Sequence, residues 1–267
     1  MPWWALILAL LGLFLLFQIL SNENYHKAFV FLLAGIRLTI IITLAAYVVA
    51  ATIGLIAGLG RVSDYLIPYT ISTLYVELIR GVPMLVQLIY VAFVVVPMGV
   101  SAINALGGWI LHVPVLAGAL HGPAQWMVER SIRNVDMTTR GIIGLAIGYG
   151  AYEAEVYRAG IQSIEKGQME AARSLGMNYF QAMRHVILPQ AIRRVLPPLG
   201  NDFIAMLKDS SLLSALAVRE LTQLGKLNRA STFRTFETWN TVTFLYLTMT
   251  VLLSMLVKLL ERRLAID

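Results

Sequence analysis

Of 267 residues, 58% are hydrophobic and only 13% charged, and the mean hydropathy is +0.72. A soluble domain carries roughly 25% charged residues, so this chain lacks the polar side chains to clothe a water-facing surface and reads as an all-α integral membrane protein. The net charge of +6 sits in no dense basic run, which argues for residues flanking membrane spans rather than nucleic-acid binding, and the absence of cysteine excludes disulfides, thiolate metal sites and a cysteine nucleophile.

A span needs about 20 apolar residues to cross the hydrocarbon core. The first predicted span runs from Trp3 to Leu20, free of charge until Glu23. No basic residue precedes it and no A-x-A site follows it, so a retained helix is expected rather than a cleaved leader. The second starts near Ala28 and ends at Arg61-Val-Ser-Asp64; within it Ala46, Ala50, Gly54 and Gly58 recur every fourth residue, a smooth face that admits a second helix closely. Arg37, toward its outer end, is expected to snorkel or pair with an acid.

A third span is predicted from Leu66 to Val96, kinked at Gly81-Val82-Pro83 because Pro83 lacks an N–H and crowds the preceding turn. From Pro97 to Arg140, with 99–140 set apart as an extended external loop, Gly107-Gly108, Pro114 and Pro123 predict a segment broken into short pieces, re-entrant or interfacial. Further spans are expected over Gly141–Ile161, Ala191–Leu213 and Trp239–Leu260. Glu261-Arg262-Arg263 reads as a cytoplasmic anchor, which counts back to place residues 162–189 inside and the 219–237 connection outside.

The 162–189 segment changes composition abruptly. Gln162 to Gly176 predicts a short amphipathic helix with a glycine C-cap, Asn178 and Gln181 predict a capping box, and Ile187-Leu188-Pro189 is expected to close the second short helix and open the next. Two short helices meeting at a bend make a rigid knob on the membrane face.

Several motifs then occur in order. Glu170-Ala171-Ala172 followed by Gly176 and Ile187-Leu188-Pro189 resembles the coupling loop of ABC importer permeases. Glu77-Leu-Ile-Arg80-Gly-Val-Pro83-Met-Leu-Val-Gln87, Tyr152-Glu-Ala-Glu155-Val-Tyr-Arg158-Ala-Gly160, Gly167-Gln168, Leu196-Pro197-Pro198 and Lys208-Asp209-Ser210-Ser211-Leu212 are similar to the polar amino acid permease family. That resemblance implies a five-helix type I ABC importer permease core over residues 28–263, with residues 1–27 as one extra N-terminal transmembrane helix and linker. It further implies a bacterial inner-membrane location, a second permease subunit (a copy or a paralogue), two ABC ATPase subunits docked on the knobs, and an external amino-acid-binding protein. Gly167, Glu170, Ala171, Ala172, Gly176 and Pro189 would then couple to the ATPase.

The chain itself carries no phosphate-binding loop: Gly225-Lys226 lacks the upstream glycine, so no ATP or Mg cofactor is expected on it and hydrolysis is assigned to the partner. The four histidines lack metal-ligand spacing and no G-x-S-x-G occurs, which excludes a zinc site and a serine nucleophile elbow on motif grounds. Ionisable residues within spans are the candidates for a transport pathway. Arg80, Glu153, Glu155, Asn201 and Asp202 fall within the middle third by helical rise, and Glu77, Tyr152 and Arg158 are pathway candidates beside them. Glu77–Arg80 and Glu155–Arg158 are spaced to neutralise themselves, whereas Glu153 has no such partner and is expected to read substrate, with a leaning toward basic or neutral polar amino acids.

Overall fold

The structure, a computed structural model, describes residues 3–264; Met1 and Pro2 of the N-terminal segment, and the side chain of Arg263 in the C-terminal anchor, lie outside the described residues. Helices make up nearly all of it, with no strand among the described residues. Helix α1 (Trp3–Ser21) is followed after one residue by α2 (Glu23–Val62), whose start is set by Asn22 accepting from the Asn24 N–H. At 40 residues α2 is about 60 Å long, twice the hydrocarbon thickness, so it crosses obliquely or projects beyond it.

Its predicted smooth face is the spine of the fold. Ala46, Ala50, Gly54 and Gly58 are all buried and meet α7 (Met137–Gln162), the most extensive helix pairing in the molecule. A Cβ at Gly54 would lie 2.7 Å from Glu153 Cβ and 3.1 Å from the Ala154 nitrogen; one at Gly58 would lie 2.8 Å from Tyr157 Cβ. Lipid tails give helices no hydrophobic reason to associate, so backbone approach through glycine supplies the contact energy.

The third predicted span divides. Helix α3 (Leu66–Arg80) stops at Gly81-Val82-Pro83 as expected, and Gln87 donates to the Ile79 and Val82 carbonyls that the break leaves free, at 2.7 and 2.6 Å. Beyond it, α4 (Met84–Tyr90), a π-turn (Val91–Val95) and α5 (Val96–His112) form one continuous rod. Two expectations fail here. The helix does not end at Val96, and Gly107-Gly108 does not break it, because Gly107 is where α6 (Pro114–Val128) crosses: a Cβ there would lie 2.7 Å from the Ala124 carbonyl oxygen. The segment after Pro97 is thus a helical hairpin rather than short pieces: Pro114 opens α6 after an extended Val113, and Leu120, three residues before Pro123, is non-helical (φ −122°).

Helix α7, capped by Asp136, is followed by α8 (Lys166–Ser174), α9 (Tyr179–Ala182), α10 (Leu188–Asp209), α11 (Leu221–Thr232) and α12 (Thr235–Leu264). Ile187-Leu188-Pro189 does not close α9: a π-turn (Met183–Ile187) carries it straight into α10, with Pro189 as the second residue of that helix. A core of Ile42, Ala46, Leu88, Leu145, Tyr149 and Met206 joins α2, α4, α7 and α10. A second, of Leu32, Leu207, Leu221, Val242 and Leu245, attaches α11 and α12. Three helical stretches, Glu23–Val62, Met84–His112 and Thr235–Arg262, are long and apolar enough to cross a membrane, and Leu6–Ser21 is a shorter apolar one.

Candidate functional site

Helices α7 and α10 carry the interior charges, and they face each other because Gly160 admits Val195 and because Tyr149 donates to Asp209 at 2.8 Å. Between them and α3 lies an open cavity of about 480 Å³ lined by Arg80, Tyr152, Glu155, Arg194, Pro198 and Asp202, among others. Four of the eight nominated pathway residues therefore meet in one place. Two lining residues the sequence did not mark are Ser163 and Arg194, whose guanidinium donates to the Ser163 carbonyl.

The charges sort themselves differently from their spacing. Glu155 does pair with Arg158 three residues on, but its Oε2 also accepts from Arg61 Nη1 at 2.8 Å. Arg61 reaches Glu77 as well, at 3.4 Å, so the expected Glu77–Arg80 pair is not formed. Arg80 instead lies over the Tyr152 ring, 5.5 Å from its centroid, with no ion pair among the described residues. Arg61 is the residue that sequence reasoning missed most: ending α2 it looks like an ordinary boundary arginine, yet its head group is inserted between α3 and α7. Arg37 makes no ion pair among the described residues. Asn201 is exposed and Arg158 is occupied by Glu155 and Gln162, and neither lines the cavity.

Glu153 is fully buried, and neither carboxylate oxygen has a hydrogen-bond partner. It sits on the α2 side of α7, against Gly54, and does not line the cavity. Asp202, which lines the cavity, also holds a buried oxygen without a partner. A larger groove of about 1120 Å³, lined by Tyr47, Phe203, Arg193 and Val257 among others, runs along the other side of α10.

The 162–189 segment is a compact knob. Gly176 adopts φ +84°, as the expected C-cap requires, and the turn is closed by Gly176 N–H to the Arg173 carbonyl and Met177 N–H to the Ala172 carbonyl, at 3.0 and 3.2 Å. Asn178 and Gln181 form the reciprocal capping box. Ile164, Ile187 and Ala191 seat the knob on the helix ends, and Ala172 is buried within it. Gly167, Glu170, Ala171 and Pro189 are exposed, beside three large apolar side chains left bare: Leu175, Tyr179 and Phe180.

Comparison with known proteins gives this arrangement a context. The family model described as binding-protein-dependent transport system inner membrane component matches residues 50–266. The glutamine transport system permease protein GlnP of Escherichia coli is 34% identical over 88% of this chain and 93% of its own length. The arginine transport system permease protein ArgU of Corynebacterium glutamicum is 33% identical over 79% of this chain and 63% of its own. Among solved structures, an amino acid ABC transporter with histidines is similar with a TM-score of 0.70 and 34% identity, covering 92% of this chain and 98% of the other. The methionine ABC transporter MetNI, in its inward-facing form, shares the fold at a TM-score of 0.64 and 18% identity, covering 88% of this chain and 96% of the other. With more than half its length matched, the chain belongs to the family of binding-protein-dependent transport system inner membrane components.

Proposed function

We propose that this chain is the permease subunit of an ABC importer for polar amino acids in a bacterial inner membrane. It works with two ATPase subunits that bind ATP and Mg, a second permease subunit and an external binding protein. Relatives named for glutamine and arginine transport support the substrate class. The observation that carries it is the pair of unsatisfied groups at the cavity: Arg80 without a carboxylate and Asp202 with an orphaned oxygen. An α-amino acid carries the complement of both, a carboxylate for Arg80 and an ammonium for Asp202. Glu155, already held by Arg61 and Arg158, has less to offer an incoming cation.

In this reading the exposed knob residues Glu170, Leu175, Tyr179 and Phe180 are the ATPase contact, and motion of the knob is passed to α7 and α10 through the Ile164–Ile187–Ala191 seat. The test is uptake and substrate-stimulated ATP hydrolysis in vesicles holding the chain with its ATPase and binding protein, at matched membrane levels. Asp202→Asn should raise the KM for uptake about tenfold to a hundredfold, the worth of a hydrogen bond to a charged group. Gly176→Val should insert normally yet uncouple hydrolysis from uptake, because a Cβ in the left-handed region costs about 1–2 kcal/mol and displaces the knob. Wild-type kinetics in the first variant would remove the cavity from the pathway, and wild-type coupling in the second would reduce the knob to a connector.

A further inference from the structure

The α5–α6 hairpin is the one substantial part of the molecule that the transport reading leaves idle. Helix α6 rests almost entirely on α5, and the contact between them is made by small groups, Gly107 against Ala124. Few of its large side chains point inward. Met98 is 66% exposed, Trp109 59%, Val115 84% and Trp126 55%, on both helices. On α6, Val115, Leu120 and Val128 are all exposed although their spacing puts them on different sides of the helix. From Gly81 to Val128 there is no Asp, Glu, Lys or Arg; charge resumes only at Glu129 and Arg130.

We propose that this hairpin is immersed in the outer leaflet of the bilayer, with lipid as its partner on all outward faces. Water is a poor solvent for two helices that turn large apolar side chains outward on several sides. A protein partner would cover one face and leave the others bare, whereas hydrocarbon solvates every face at once. The close glycine contact is also what helix pairs use where no hydrophobic force drives them together. The surface is continuous with the apolar rod Met84–His112, which is itself long and apolar enough to span. At its foot the Arg130 guanidinium stacks on Trp126, 4.1 Å from the ring centroid. The leaflet rests on the orientation proposed above; immersion in lipid does not.

The chain has no cysteine, so single labels report cleanly. Nitroxides at Leu106→Cys and Val115→Cys, both on exposed outward positions that need no repacking, are measured in the full chain in phospholipid vesicles by relaxation with oxygen and with a water-soluble nickel chelate. Leu13→Cys on the exposed apolar face of α1 is the lipid reference and Arg229→Cys on α11 the water reference. The expected result is an oxygen-to-nickel accessibility ratio at both hairpin sites matching Leu13→Cys and several-fold above Arg229→Cys. A ratio matching the water reference would overturn the proposal, and low accessibility to both reagents would overturn it in favour of a covering protein. Neither readout involves transport, so failure here is separable from failure of the transport reading.

Discussion

The α2–α7 seam and the α5–α6 hairpin are built on the same local device and meet opposite fates. In each, a glycine lets a facing backbone or Cβ approach to where its own Cβ would lie 2.7 Å away: Gly54 against Glu153, Gly107 against Ala124. Around the seam, α3, α10 and α12 close in, and residues such as Ala46, Ala50, Leu145 and Ala154 are buried. Around the hairpin, among the described residues, no other long helix closes in to a comparable extent. A small-residue contact therefore tells how near two backbones come, and says nothing about whether a core forms over it.

The comparison is sharpest at Gly54. Gly54→Leu pushes into Glu153 Cβ and the Ala154 backbone nitrogen, neither of which can rotate away, so it should destabilise the fold by about 3 kcal/mol or more. A lowered unfolding temperature in detergent and loss of monodisperse protein are the readouts; wild-type melting would show that the seam is looser than its geometry.

Arg140 joins the two regions, and its removal should have the next largest effect. It is buried, and its guanidinium donates to the carbonyls of Val135, Ile132 and Ala92 at 2.9, 2.9 and 3.2 Å, tying both feet of the hairpin to α7. Arg140→Ala removes a donor from three carbonyls, of which Ile132 keeps the Val135 N–H, and should cost about 2–3 kcal/mol. Hydrogen exchange of residues 129–136 should rise more than that of the seam; equal protection in both would separate the hairpin's attachment from Arg140.

Asp136, one turn earlier, caps α7 by accepting from the Thr139 N–H at 2.9 Å. Hydrogen bonds from the Thr139 side chain and then its backbone hold its carboxyl below the ordinary aspartate value. The folded state thus prefers the ionised form. The contribution is full above the unfolded pKa and disappears as pH falls through the lowered folded one. Asp136→Ala should cost about 1 kcal/mol at neutral pH and progressively less in acid. A cost independent of pH down to that range would assign the effect to something other than the charged cap.

The smallest effect is expected at the counterpart of Gly54. Gly107→Leu meets the Ala124 carbonyl and Met127 Cβ, but parting α5 from α6 disturbs little beyond the hairpin, so global unfolding should shift by about 0.5 kcal/mol or less. An effect as large as that of Gly54→Leu would erase the distinction between the two regions.

What the sequence determined by itself is whatever depends on a few neighbouring residues. The composition dictates a lipid-solvated helical chain, the fourfold spacing from Ala46 to Gly58 dictates a close helix contact, and Gly81-Val82-Pro83 dictates a break. The Gly176 bend and the Asn178–Gln181 box were legible for the same reason: φ preference and capping act over three or four residues. Only the tertiary structure decided which face each of these features turns to which neighbour. Glu153 and Glu155 are two residues apart on α7, yet one is sealed against Gly54 while the other is held by Arg61 at the cavity. Arg80 abandons the nearby Glu77, which Arg61 takes from another helix. Gly107-Gly108 stays helical because α6 lies across it. An ionic or glycine preference is set locally, but its partner is chosen by packing between segments tens of residues apart, and no spacing along the chain encodes that choice.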